Sequence, residues 1–410
     1  MRETEKQMKD VLSRDVQVSD LVNQRLWDTY KILERKQGSS GKKRHYGKNL
    51  RVAAAVAAIV CLAAPSMVYA SVKFGFFEAM FGNTTKKSSD VIHTEVDTGK
   101  GSTTPVDIPS KEFVPVDEGT AEEMIGQWVM EEPVTRKIGE HTLTIENFTY
   151  DRIGALMYFT LGRDGGVTAL RGDERTNLTK GASLTDDSDF ILQVQCGEAE
   201  DDNFVFAGEN IYVDLEKSTD DLLYCSSYLL WSDLLDEGDI PKLVITKYPD
   251  TLGNIKRLLP DTTNMTEEEM QNPKLYQKYE EAMAKAETET IELSDKGQVP
   301  VKTVDLGENG YLEYSPIAIS VDLSKGMGLT NEEAYDPGNL DSLVIRYKDG
   351  SEYVVSDREK LIENSGYQLG GVGGSVNGDI GTYYSTIFNR LVETGEIAEI
   401  LVNGVSFPVE

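Results

Sequence analysis

The residues whose types suit chemistry are few and scattered. The 410-residue chain holds three histidines (His45, His93, His141) and three cysteines (Cys61, Cys196, Cys225). A nucleophile–base pair would have to use His141, and no strained nucleophile turn of the G-x-S-x-G kind lies near it. His141 reads as an ordinary strand-edge histidine. There is no CxxC pair and no His–Cys cluster, so the ligands of a structural zinc site are missing. Paired carboxylates abound, at Asp186-Asp187, Glu200-Asp201-Asp202 and Asp220-Asp221. In an acidic chain such runs are usually solvated faces. A glycosidase would need two carboxyls across a cleft, which sequence does not show. Asp186-Asp187-Ser188-Asp189 is only a faint match to a calcium loop, which alternates oxygen ligands and closes on a Glu. Gly370–Ser375 lacks the spacing and terminal Lys of a phosphate loop and reads as a loop. The expectation is a protein that is not an enzyme, with no catalytic residue, no cofactor and no metal. Cys196 and Cys225 can pair as a disulfide if their region lies outside the cytosol. Two free buried thiols is the equal alternative, because neither cysteine has a flanking motif.

The elements around these residues read mainly as β. Segments 141–149, 155–161, 189–195, 203–206, 210–215, 222–231 and 242–248 are rich in β-branched and aromatic residues and are separated by polar turns. Several short strands at this spacing argue for a β-sandwich. Thr266 and Glu269 form a capping box in 262–288, Pro273 sits where a first helical turn would begin, and KLYQKYEEAMAKAE follows. That stretch reads as a helical connector. A second β block has strands at 289–293, 311–323, 342–347, 352–355 and 398–407, with hairpin turns at Asp349-Gly350 and Asn403-Gly404. Gly366–Gly378 reads as a flexible loop and 385–393 as a helix. Thr120 and Glu123 suggest a capping box before a short helix through Val129, preceded over 83–119 by a Ser/Thr/Gly/Pro-rich stalk. No convincing repeat relates the two β blocks.

Charge divides the chain. The formal net charge is -29, yet residues 1–51 carry 13 Lys/Arg against 7 Asp/Glu. The acidic remainder would repel nucleic acid, which excludes DNA binding there. Between the halves lies Val52–Val72, 21 positions without a charged residue. At about 1.5 Å rise this run can cross a ~30 Å hydrocarbon core as one helix. Lys42, Lys43, Arg44, Lys48 and Arg51 crowd its N-terminal side, which predicts that the N-terminus stays in the cytoplasm. Phe74, Phe76, Phe77 and Phe81 follow, placed to anchor at the headgroup boundary; the alternative makes them the first core element of the outer domain. In the tail, Val22, Leu26, Tyr30 and Leu33 share one helical face. A lone helix of this length is marginal in water unless that stripe finds a partner.

The order of tail helix, basic cluster, Ala-rich span and Gly75–Gly82, with Ile138–Ile145 (IGEHTLTI) and Met327–Gly338 (MGLTNEEAYDPG), resembles a family of single-pass membrane proteins of unknown function from Gram-positive bacteria. Members are associated with extracytoplasmic-function sigma factors and viewed as anti-sigma-factor-like, and their extracytoplasmic domains are similar to immunoglobulin-like sandwiches. The resemblance implies a membrane-tethered regulator whose β domain meets an outside ligand and whose tail meets a sigma factor. The tail departs from zinc-bearing anti-sigma factors, since it has no Cys and is too short for their multi-helix domain. Sigma binding would fall to the one helix carrying Val22, Leu26, Tyr30 and Leu33. The expected organisation is a cytoplasmic tail (1–51), a transmembrane helix (52–72), an interfacial segment and stalk (73–119), a first β-sandwich (120–260), a helical connector (261–288) and a second β domain (289–410). An envelope-anchored binding or structural module without a sigma-factor role is the rival reading.

Overall fold

A computed structural model of the chain describes residues 72–81, 86–87, 92–97, 103–108, 112–170, 184–198, 204–260, 272–293, 296–323, 340–357, 359–360, 362–363, 371–373 and 383–409. The expected tail helix and all of the expected span except Val72 lie outside these residues, as does the Thr266–Glu269 box. Among the described residues no helix is long and apolar enough to cross a membrane. Helices are α1 (Val72–Phe81), α2 (Glu118–Ile125), α3 (Leu252–Lys256) and α4 (Gln277–Met283). The described fold is mainly β, built from antiparallel sheets.

Four short strands come first: β1 (Lys86–Lys87), β2 (Ile92–Asp97), β3 (Thr103–Ile108) and β4 (Glu112–Phe113). β2 pairs with β3 and β1 with β4, so the described residues of the expected stalk are paired strands. Its anchor is Phe113, which is fully buried between Tyr212 and Tyr228. α2 begins two residues before Thr120, because the Asp117 carboxylate already accepts the Thr120 N–H and caps the first turn.

The first β block comprises β5 (Val134–Ile138), β6 (His141–Tyr150), β7 (Gly154–Gly162), β8 (Phe190–Cys196), β9 (Val205–Val213), β10 (Leu222–Trp231), β11 (Lys242–Lys247) and β12 (Glu287–Glu292). They form one sheet in the order β12-β11-β8-β9-β10-β7-β6-β5. The sheet curls on itself. Leu143, Ile145, Phe159 and Cys225 from one half share a core with Leu192, Val194, Leu243 and Ile291 from the other. Arg136 on edge strand β5 reaches Glu289 on edge strand β12 at 2.7 Å. β12 therefore completes this sheet rather than opening the second block. In β6 a bulge at Ile145–Asn147 flips the alternation, so that Leu143 and Ile145 point inward before it and Phe148 and Tyr150 after it.

β7 explains what covers this sheet outside. Its run ALMYFTL is apolar without alternation, the pattern of a strand buried on both faces. Ala155, Met157, Phe159 and Leu161 face the inner core, while Leu156 and Tyr158 face outward. With Tyr212, Tyr228 and Leu230 they make an apolar outer wall, on which Phe76, Phe77, Met80 and Phe81 of α1 lie, each at most 2% exposed. Phe76, Phe77 and Phe81 thus belong to the protein core and not to a headgroup boundary. Burial at this level contributes roughly 1.5–3 kcal/mol per large apolar side chain.

The second block has two five-stranded sheets. One orders β13 (Lys302–Asp305), β14 (Tyr311–Tyr314), β15 (Ala318–Asp322), β20 (Tyr383–Ile387) and β19 (Gly371–Gly373) as 13-14-15-20-19. The other orders β18 (Ile362–Glu363), β17 (Glu352–Asp357), β16 (Ser342–Tyr347), β21 (Ile397–Val402) and β22 (Val405–Pro408) as 18-17-16-21-22. Leu312, Tyr314, Ile319 and Val321 of the first pack with Leu343, Ile345, Tyr353 and Ile400 of the second. The expected strand 311–323 is two strands, because Ser315-Pro316 turns the chain back. The expected helix 385–393 is instead β20 and a coil, since Tyr-Tyr-Ser-Thr-Ile favours extended backbone and pairs with β15. Part of the Gly-rich loop is likewise a strand, β19.

Candidate functional site

The most distinctive polar arrangement lies where the two blocks meet. The β6–β7 turn reads Tyr150-Asp151-Arg152-Ile153-Gly154, and the β14–β15 turn reads Tyr314-Ser315-Pro316-Ile317-Ala318. They are built alike. The Asp151 N–H donates to the Gly154 carbonyl, and the Ser315 N–H to the Ala318 carbonyl, each at 2.9 Å. Asp151 Oδ1 accepts from Ile153 N at 2.6 Å and Gly154 N at 2.7 Å. Ser315 Oγ accepts from Ile317 N at 2.9 Å and Ala318 N at 3.2 Å. Short polar side chains that accept amides two and three residues ahead stabilise such turns locally.

The two turns face each other. Ser315 Oγ donates to Asp151 Oδ2 at 2.5 Å, and both residues are fully buried. Ile153 and Ile317 enter one cluster with Leu156, Tyr228 and Ile387. Gly154 permits the approach: a Cβ there would stand 2.5 Å from the Leu229 carbonyl oxygen and 2.9 Å from Ile387 Cδ1. Trp231 Nε1 donates to the Asp151 carbonyl at 2.9 Å, and Val299 N to the Tyr150 carbonyl at 2.7 Å. Burial raises the Asp151 carboxyl from its usual range to about 6, against the Ser315 and amide donors that lower it, and nearby Glu313 raises it further.

Beside this contact, Arg152 Nη1 meets Glu313 Oε1 at 2.7 Å, again crossing between blocks. Glu313 is 5% exposed, and its Oε2 has no hydrogen-bond partner among the described residues. Its carboxyl is raised by burial, with Arg152 opposing. Arg152 Nε also donates to the Leu235 carbonyl at 3.1 Å. The junction opens into a cleft of about 360 Å³ lined by Arg152, Asp233, Asp236, Asp239, Leu234 and Tyr311, with Val205 at its wall. Among the described residues no group of three or more His, Cys, Asp or Glu side chains is placed to hold a metal ion. The junction's chemistry is hydrogen bonding and proton binding.

The residues singled out from sequence lie elsewhere. Val22, Leu26, Tyr30 and Leu33 are outside the described residues. Cys196 and Cys225 are buried thiols and do not form a disulfide. The reason is register: Cys196 pairs with Val205 and Cys225 with Val213, at opposite ends of β9. Eight strand residues span roughly 26 Å, and a disulfide needs Cα atoms within about 7 Å. His141 is 5% exposed, with its ring edge-on to Phe190 at 5.3 Å. Burial lowers its pKa, as does Arg163, so it packs as a neutral aromatic. Asp186 of the faint calcium match is engaged by Lys256 at 2.8 Å. Sequence reading missed the junction, although one signal was present: Tyr-(Asp/Ser)-x-Ile-small occurs at both turns.

No family model and no curated protein matches the chain. Among solved structures, the chain is similar to the crystal structure of a conserved domain protein from Bacillus anthracis, at 12% identity over 67% of this chain and 77% of that one, with a TM-score of 0.33.

Proposed function

We propose that the chain is a membrane-tethered regulator, anti-sigma-factor-like, whose two immunoglobulin-like β blocks sense or bind a ligand outside the cell. The observation that carries this reading is the placement of α1. Phe76, Phe77, Ala79, Met80 and Phe81, a few positions after the uncharged run Val52–Val72, are buried on the outer wall of the first block. Ser226 Oγ donates to the Ala79 carbonyl at 2.7 Å, and the Tyr228 hydroxyl to the Met80 carbonyl, so side chains of β10 cap the helix end. A span joined to such a helix has no slack linker after it. A change in the β blocks would reach the membrane through packed side chains.

The test uses the full-length chain in a Gram-positive host. The protein should stay with membranes after a carbonate wash, and external protease should cut the acidic part but spare residues 1–51. A captured sigma factor should be lost on Leu26→Asp, which puts a charge in the apolar stripe meant for a partner groove. A chain released by carbonate overturns the tether; capture unchanged by Leu26→Asp overturns the tail helix as the contact. The cleft between the blocks favours a second reading, an envelope-anchored ligand-binding module without a sigma-factor role.

A further inference from the structure

Asp151 and Ser315 belong to different blocks and meet through one buried hydrogen bond. The charged groups facing Asp151 are Glu313 on β14 and its partner Arg152, next to Asp151 in the chain. From β10 comes only the neutral Trp231 indole, bonded to the Asp151 carbonyl. We infer that this contact is a proton-operated latch between the two β blocks, tight when Asp151 carries a proton and looser when it is ionised.

The two oxygens of Asp151 make this workable. Oδ1 serves two amides, which need only an acceptor and are satisfied by either protonation state. Oδ2 meets a hydroxyl whose two lone pairs already accept the Ile317 and Ala318 amides, so that hydroxyl donates to Asp151 in either state. These three donors favour the carboxylate, and burial and Glu313 oppose them. What differs is the cost of burying charge. An ionised Asp151 sits out of water with Glu313 close by, and opening the junction would return it to solvent. A protonated Asp151 gains nothing by opening. The carboxyl at about 6 in the docked form agrees in direction, since a group that holds its proton more tightly when docked favours docking as pH falls. The inference concerns the junction alone and does not rest on membrane attachment.

Hydrogen exchange on the full-length chain in detergent tests it. The amides of Ile153, Gly154, Ile317 and Ala318 are held by the two side chains themselves. Their protection factors, each normalised to the intrinsic rate at that pH, should be roughly tenfold higher at pH 5 than at pH 7. Asp151→Asn should abolish this pH step. Ser315→Ala should move it to higher pH, because that hydroxyl is the strongest of the donors holding the acid down. Equal protection at both pH values in the unaltered chain overturns the latch, as does the same step surviving in Asp151→Asn. Should Asp151→Asn fail to fold, the unaltered chain and Ser315→Ala decide: a step that does not move in Ser315→Ala contradicts the inference.

Discussion

Two buried polar contacts hold elements onto the first β block, and they differ in whether their atoms can change charge. At one, Ser226 and Tyr228 of β10 donate to the last carbonyls of α1. Both donors are hydroxyls, and burial pushes the Tyr228 phenol far above its usual pKa, so this contact is neutral at every physiological pH. At the other, Asp151 meets Ser315 and Arg152 meets Glu313, so proton binding can alter the contact. The apolar surroundings are shared, since Phe76, Tyr228, Ile153 and Ile317 lie in one cluster. α1 is thus held by groups that do not titrate at physiological pH, and the second block by groups that do.

The largest effect is expected at the apolar base that both contacts share. Phe76→Ala deletes a ring that is 0% exposed beneath α1, and it should cost about 3–5 kcal/mol in urea unfolding. A loss well under about 1 kcal/mol would mean that α1 is not docked on this wall. Next, Gly154→Ala drives a methyl into the Leu229 carbonyl and Ile387 at the junction, for an expected loss of about 1–3 kcal/mol. Protection at Ile317 and Ala318 should fall with it, because the opposing turn must move away. The smallest effect belongs to Tyr228→Phe, which removes one neutral hydrogen bond to Met80 and should cost about 0.5–1.5 kcal/mol.

Much of the first block was legible in the sequence. Runs such as 141–149, 222–231 and 242–248 coincide with β6, β10 and β11 to within a residue, because β-branched and aromatic content and turn punctuation are local signals. Asp349-Gly350 and Asn403-Gly404 sit at real hairpin turns, Asn403 with φ of 51° and Gly350 with φ of 86°. What was not legible is long-range. The Phe cluster of α1 is chemically equally fit for a lipid boundary or an apolar wall, and only the outer face of β7 and β10 decides between them. Residues 385–393 carry helix-compatible Leu, Glu and Arg, but β15 supplies an edge for Tyr383–Ile387 that overrides local preference. The junction was hidden for the same reason. Asp151 and Ser315 are ordinary turn residues in their own segments, and they become a site only when the fold brings together positions 164 apart in the chain.

The most direct measurement is the unfolding free energy of three proteins against pH: the unaltered chain, Asp151→Asn and Tyr228→Phe. The ordinary carboxyl value of 3.8 describes Asp151 unfolded, and about 6 describes it folded. Below both values the acid is protonated in either state and its contribution is fully present; that contribution is lost as pH rises through about 6. Asn cannot titrate, so the stability of Asp151→Asn relative to the unaltered chain should rise by up to about 3 kcal/mol between pH 4 and pH 7. The offset of Tyr228→Phe should stay constant across the same range. A constant offset for Asp151→Asn, or a pH-dependent one for Tyr228→Phe, would contradict the distinction between a conditional junction and a permanent clamp.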